Sequence, residues 1–222
     1  MERKIITRRI SEIKGDISRL SNALYAMDTT DIQRYPDNYE LLSVDAALRG
    51  EKIACKLRHL LYASTNAPKG LYLLSASAAH GIQIRNEGGI IEITLPCLFP
   101  KRKRKLDSEF LLDPLYYALD KYIEERPVNK YRHCVVCFSH IYDRELPMRR
   151  IRDYDNIEIK QILDIVTAFL MVDDGGALCD AYSSTELGDT DCSKISVMEK
   201  SRFPDWLAAR RSKVEPIPDS TD

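Results

Sequence analysis

Nowhere in these 222 residues does an apolar run approach the roughly 20 needed to span a bilayer, so the sequence predicts no membrane helix. The first stretch, MERKIITRRISEIKGDISRL, lacks the apolar core of a secretory signal because charges interrupt it throughout. A cytoplasmic location is the expectation. An excess of one charge sign is also missing: 33 basic and 34 acidic residues leave a net charge of −1. Contact with nucleic acid would therefore have to come from local basic patches, not from overall charge. No dense cysteine framework is present either. Cys55, Cys97, Cys134, Cys137, Cys179 and Cys192 are scattered, which in a reducing compartment implies reduced thiols.

One cluster could suggest zinc. HCVVCFSH places His133, Cys134, Cys137 and His140 within eight residues. The β-branched, alternating run around them predicts a strand, on which residues three apart point to opposite faces. Four ligands on one extended strand cannot close a tetrahedron.

What the chain does have is enough apolar content, 44%, for a core, and 30% charged residues for a solvated surface. Residues 5–27 carry Ile10, Ile13, Ile17, Leu20, Leu24 and Met27 at spacings of three and four, predicting a helix. A polar link follows, then a second helical period through Leu42, Val44, Ala47, Leu48, Ile53, Leu57, Leu60 and Leu61, with Gly50 weakening but not ending it. The two predict a helical hairpin over residues 1–66.

Beyond it come a short apolar segment, then IQIR, NEGG and IIEITLP, which predict a β-hairpin. Lys101, Arg102, Lys103, Arg104 and Lys105 form a basic loop. A helix with Leu115, Leu119, Tyr122 and Ile123 on one side follows, Pro114 marking its first turn. Then come a strand over 132–142, a basic loop with Arg149, Arg150 and Arg152, a helix from Asn156 to Leu170, and a strand closed by Asp173 and Asp174. Two strands around a polar turn complete the pattern. The expected class is α+β, a mixed sheet with two helices over residues 67–206, preceded by the hairpin. Residues 207–222 show no core pattern and are expected to be disordered.

The helix from Asn156 begins and ends on carboxylates. Asp155 stands at an N-cap position with Glu158 three residues on, as in a capping box. Asp153 lies two residues earlier, and a strand returning beside the helix would bring Asp173 and Asp174 to the same place. Carboxylates converging there would repel unless a cation sat among them, and hard oxygen ligands suit Mg²⁺. Lys160 could hold a phosphate, with the neighbouring arginines guiding a nucleic-acid backbone.

From IIEITLP onward, the basic loop, LLDPLYYALDKYI, RHCVVCFSH, RRIRDYDN with its following Lys and Asp, and MVDDGG stand in an order that resembles RusA-type Holliday junction resolvases. The resemblance spans about residues 89–199. It implies a dimeric endonuclease for DNA recombination and repair that hydrolyses branched DNA with Mg²⁺, or alternatively Mn²⁺. Asp153, Asp155 and Asp174 would be metal ligands and catalytic groups, Lys160 the site lysine, and Asp173 a neighbouring acid. Lys101 to Lys105, Arg149, Arg150 and Arg152 are the candidate nucleic-acid contacts. DNIEIK is one residue longer than the family pattern, displacing Lys160 by about 100° around a helix begun at the usual point. The loop after the first strand differs too, and the hairpin, which has no counterpart in the minimal family, is left free for a further partner. Two alternatives stand beside the nuclease: an inactive module of the same fold that binds nucleic acid or protein, and an α+β interaction protein whose aspartates are caps and turns.

Overall fold

The computed structural model describes residues 3–99 and 109–211. The basic run Lys101 to Lys105 and residues 212–222 lie outside them. The chain divides into two compact units, one ending at Lys69 and the other beginning at Gly70.

The first unit is a pair of long helices, α1 (Arg3–Asp28) and α2 (Pro36–Ser64). Proline at the head of α2 suits the first turn, where its missing N–H has no carbonyl to serve. Ile13 and Ala23 of α1 and Ala46 and Ile53 of α2 are buried. Asp16 is buried with them as an ionic clamp, accepting from Lys56 Nζ at 2.6 Å and flanked by Arg19 at 3.3 Å and Lys52 at 3.9 Å. The Lys56 hydrogen bond lowers the Asp16 pKa against the opposing pull of burial. Periodicity located the helices but not this clamp, which joins residues 40 apart.

The second unit is α+β. Its sheet has five strands: β1 (Gln83–Glu87), β2 (Ile90–Leu95), β3 (Cys134–Asp143), β4 (Cys179–Gly188) and β5 (Cys192–Glu199). They lie in the order β1-β2-β5-β3-β4, β3 and β4 being parallel and the other pairs antiparallel. The β1–β2 turn is Gly88–Gly89, both at positive φ, which suits a two-residue hairpin and favours glycine. β4 and β5 follow each other in sequence across a polar turn but do not pair; β3 lies between them.

Three helices precede the last strands: α3 (Lys69–Ala79), α4 (Glu109–Glu125) and α5 (Lys160–Leu170). Leu115 and Leu119 of α4 and Ile162, Val166 and Leu170 of α5 fill one core with Ile91, Ile93, Val136, Phe138, Ile195 and Val197 of the sheet. On the other sheet face, Val135, Cys137 and Met198 pack with Phe203 and Trp206 of α6 (Phe203–Arg211).

Five local expectations change. The apolar segment before the hairpin is the helix α3, because its small residues, Gly70 among them, let it lie close to Tyr117. Pro114 is the sixth residue of α4, not a first-turn residue, and full burial of Leu115 and Leu119 holds the helix across it. The helix expected from Asn156 begins at Lys160, residues Tyr154–Asn156 forming a separate 3₁₀ turn. The strand expected to return beside α5 is a single bridge from Met171 to Tyr131. The tail is helical to Arg211, because Phe203 and Trp206 dock on the sheet and Arg210 reaches across it.

Candidate nucleic-acid interface

The segment Arg152 to Asp155 is fixed from both sides. The Arg152 backbone N–H donates to the Tyr142 hydroxyl at 3.1 Å, and its guanidinium donates to the Phe99 carbonyl at 2.7 Å. Tyr154 exchanges a hydrogen bond with Thr185 of β4 at 3.1 Å and lies over His140 of β3. Asp153 and Asp155 are exposed on this anchored turn. Neither makes a side-chain cap. The residue that serves the start of α5 is Glu158, whose carboxylate accepts from the Lys160 N–H at 3.0 Å. The capping box expected of Asp155 is therefore not formed, because the helix begins five residues after it. Lys160 is exposed at the first position of α5.

Asp173 and Asp174 stand at the other end of that helix. α5 has 11 residues, about 16 Å at 1.5 Å per residue, and no strand folds back along it. Asp174 instead precedes β4, where its charge adds to the upward push that burial gives the Cys179 thiol. Tyr154 is held at Thr185, six residues along β4 from Cys179, roughly 20 Å at 3.3 Å per residue. One Mg²⁺ needs oxygens at about 2.1 Å. Among the described residues, no three His, Cys, Asp or Glu side chains are placed to hold a metal ion. Asp153 and Asp155 thus stand before α5 and Asp174 after it, and the structure does not bring the three together.

Two of the three arginines before the turn are engaged in structure. Arg150 pairs with Asp191, whose other oxygen accepts from the Asp143 N–H at 2.8 Å, tying the β4–β5 turn to the end of β3. Arg149 is exposed, and Arg152 is held by Phe99.

The cysteine and histidine group divides as the strand geometry requires. Cys134 packs into the core beneath α4 and α5, and Cys137 into the face beneath α6. Burial pushes both thiols up to about 12.

A different set of cations does converge. At the end of the sheet where β3 begins and β5 ends lies an open cleft of about 630 Å³. Lys130, Arg132, Lys200 and Arg202 line it, with Glu199 as the acid among them and His133 alongside. Each wall is tied down. Tyr131 donates from its hydroxyl to the Gly89 carbonyl at 2.9 Å, and the Lys200 N–H donates to the His133 carbonyl at 3.1 Å. Lys130 donates to the Ala168 carbonyl at 2.7 Å, in the last turn of α5, where a cation is favoured. Lys200 pairs with Asp180 at 2.8 Å, and the Arg202 guanidinium lies against Gly89 of the hairpin turn. These cations come from segments about 70 residues apart, each a single charge at an element's end. No run of sequence marks them, and only the juxtaposition of β3 and β5 brings them together.

Residues 2–221 match a family described as a "Family of unknown function (DUF6100)". No curated protein matches the chain. A solved structure, "Crystal structure of putative MotB like protein from Desulfovibrio vulgaris", shares 14% identity over 59% of this chain and 91% of its own, with a TM-score of 0.30. At that score the likeness carries no argument.

Proposed function

The chain belongs to the DUF6100 family, which brings no established activity with it, and we propose that its second unit binds the phosphate backbone of nucleic acid. The observation that carries this is the cleft: four cations on braced strand ends, in a protein whose net charge is −1. Fixed guanidinium and ammonium groups lining an open cleft suit a polyanion, because neutralising phosphates releases condensed counterions. Branched DNA is the target that the Asp-x-Asp-Asn resemblance suggests. Binding without cleavage is favoured over Mg²⁺-dependent hydrolysis because α5 separates the acids a metal would have to join.

The test is fluorescence anisotropy with a labelled single strand, a duplex and a four-way junction across a salt series, for the wild type and Arg132→Ala/Arg202→Ala. The expected result is salt-dependent binding that the double variant weakens by about tenfold or more, its log–log salt slope falling by about 2. Unchanged affinity in the variant, or no binding by the wild type, would rule the proposal out. The same substrates incubated with Mg²⁺, Mn²⁺ or EDTA separate binding from cutting. Metal-dependent cleavage lost in Asp155→Asn would restore the nuclease in place of the binding module.

A further inference from the structure

The helical pair has two flanks of opposite character. On one flank Glu12 and His59 line a common cavity and Arg19 and Lys52 meet around Asp16, so that side is polar. The inward positions of α1 run 6, 9, 13, 16, 20, 23 and 27, and those of α2 run 39, 42, 46, 49, 53, 56 and 60. In an antiparallel pair, the residues following the second inward position of each heptad fall on the same side, opposite the polar flank. On α1 these are Ile10, Ile17 and Leu24, seven apart and 44%, 48% and 51% exposed. On α2 these are Ser43, Gly50 and Leu57, Leu57 being 48% exposed, with Ala47 and Ala54 beside them.

The side is therefore a row of large apolar residues beside a row dominated by small ones. Gly50 belongs to this arrangement. It sits in the interior of a 29-residue helix, where glycine costs about 1 kcal/mol relative to alanine, and a Cβ there would meet nothing within 4 Å. Among the described residues its smallness serves no contact. Against a second helix, it permits close approach of the backbones.

The charges choose the occupant. The end of the pair holding the α1–α2 link is acidic on balance, with Asp28, Asp31, Asp37 and Glu40 against Arg34. The other end is basic on balance, with Arg3, Lys4, Arg8 and Arg9 of α1 against Glu12. Such a surface complements itself when a second copy is laid against it end for end, and repels itself when the ends coincide. We infer that the helical pair self-associates through this apolar flank into an antiparallel four-helix bundle, each helix lying end for end on its own counterpart, so that Ile10, Ile17 and Leu24 of one copy pack along Leu24, Ile17 and Ile10 of the other and the two small-residue rows meet beside them. The contact is isologous, so a two-fold axis closes it as a dimer. It rests on the helical pair alone and is independent of the cleft.

The experiment is light-scattering mass measurement of the full chain, with circular dichroism, for the wild type, Ile17→Glu/Leu24→Glu and, on the same flank, Leu57→Glu. Both variants place charges at positions already exposed in the single chain, so helix content should hold. The wild type is expected at twice 25.5 kDa and each variant at 25.5 kDa with unchanged helicity. High salt should weaken the wild-type dimer by screening its end-to-end attraction. A wild type that stays monomeric at concentrations of roughly tens of micromolar overturns the inference. So does a dimer that persists in both variants, which would place self-association on another surface.

Discussion

His140 is buried on β3 between the rings of Phe99 and Tyr154, with centroids 5.3 and 5.7 Å away. Burial, and then the charge of Arg152, push its pKa down from 6.5 to about 4. A group depressed in this way is neutral in the fold and protonates more readily once the chain opens. Its contribution is fully present above about pH 6.5 and is lost as the pH falls through about 4. The full loss amounts to roughly 3 kcal/mol, since each tenfold change in proton affinity is worth about 1.4 kcal/mol. Urea melts at pH 7 and near pH 4.5 should show most of that loss, and His140→Phe should flatten it; an equally steep acid slope in the variant would assign the loss to other groups. The same residue shows why histidine and cysteine spacing misleads in this stretch. His133, Cys134, Cys137 and His140 are close in sequence, but the extended backbone gives alternate residues to different faces.

At the scale of elements, the start of α5 decides which acids are structural. Glu158→Ala should cost about 1 kcal/mol, the usual value of a helix-terminal side-chain acceptor, while Asp155→Ala should leave thermal stability within a few tenths. The reverse ranking in thermal melts would mean that the helix starts where the sequence pattern first suggested. α6 offers a second case. Arg210 donates to Ser139 at 2.6 Å and Ser184 at 2.7 Å, pairs with Glu186, and lies over Trp206 at 4.9 Å. Arg210→Ala leaves the Glu186 carboxylate without that partner in a largely covered site and should cost about 3 kcal/mol. Trp206 is the sole tryptophan, so its emission should shift to the red as α6 loosens. No periodicity announces α6, because two aromatics and one arginine hold it against a sheet face instead of a repeating apolar stripe.

At the scale of the whole molecule, the separation of the acids makes a claim about ions. A preassembled three-carboxylate site would be relieved of repulsion by Mg²⁺ and the folded state stabilised by mass action. With Asp153 and Asp155 at one end of α5 and Asp174 at the other, saturating Mg²⁺ should move the Tm by less than about one degree, as expected when no ligand distinguishes the folded from the unfolded chain. A rise of several degrees, lost in Asp155→Asn, would show that the acids meet after all. The basic cleft belongs to the same scale, since it exists only where the end of β5 lies beside the start of β3.

The sequence by itself determined whatever repeats locally. The 3.6-residue period located α1 and α2, two adjacent glycines placed the β1–β2 turn, and the β-branched run at residue 134 made β3, together enough for the α+β class. It also placed Asp153 and Asp155 two residues apart ahead of the helix, though as a cap and its neighbour and not on a separate turn. Only the tertiary structure decided what meets across long separations. The Asp16 clamp, the insertion of β3 between β4 and β5, and the gathering of Lys130, Arg132, Lys200 and Arg202 depend on contacts with no local signature. So does the distance between the two acid clusters. Local pattern fixes which face of an element is apolar, but the path of the chain after Leu170 is set by the Met171–Tyr131 bridge, and that bridge carries Asp174 away from Asp155.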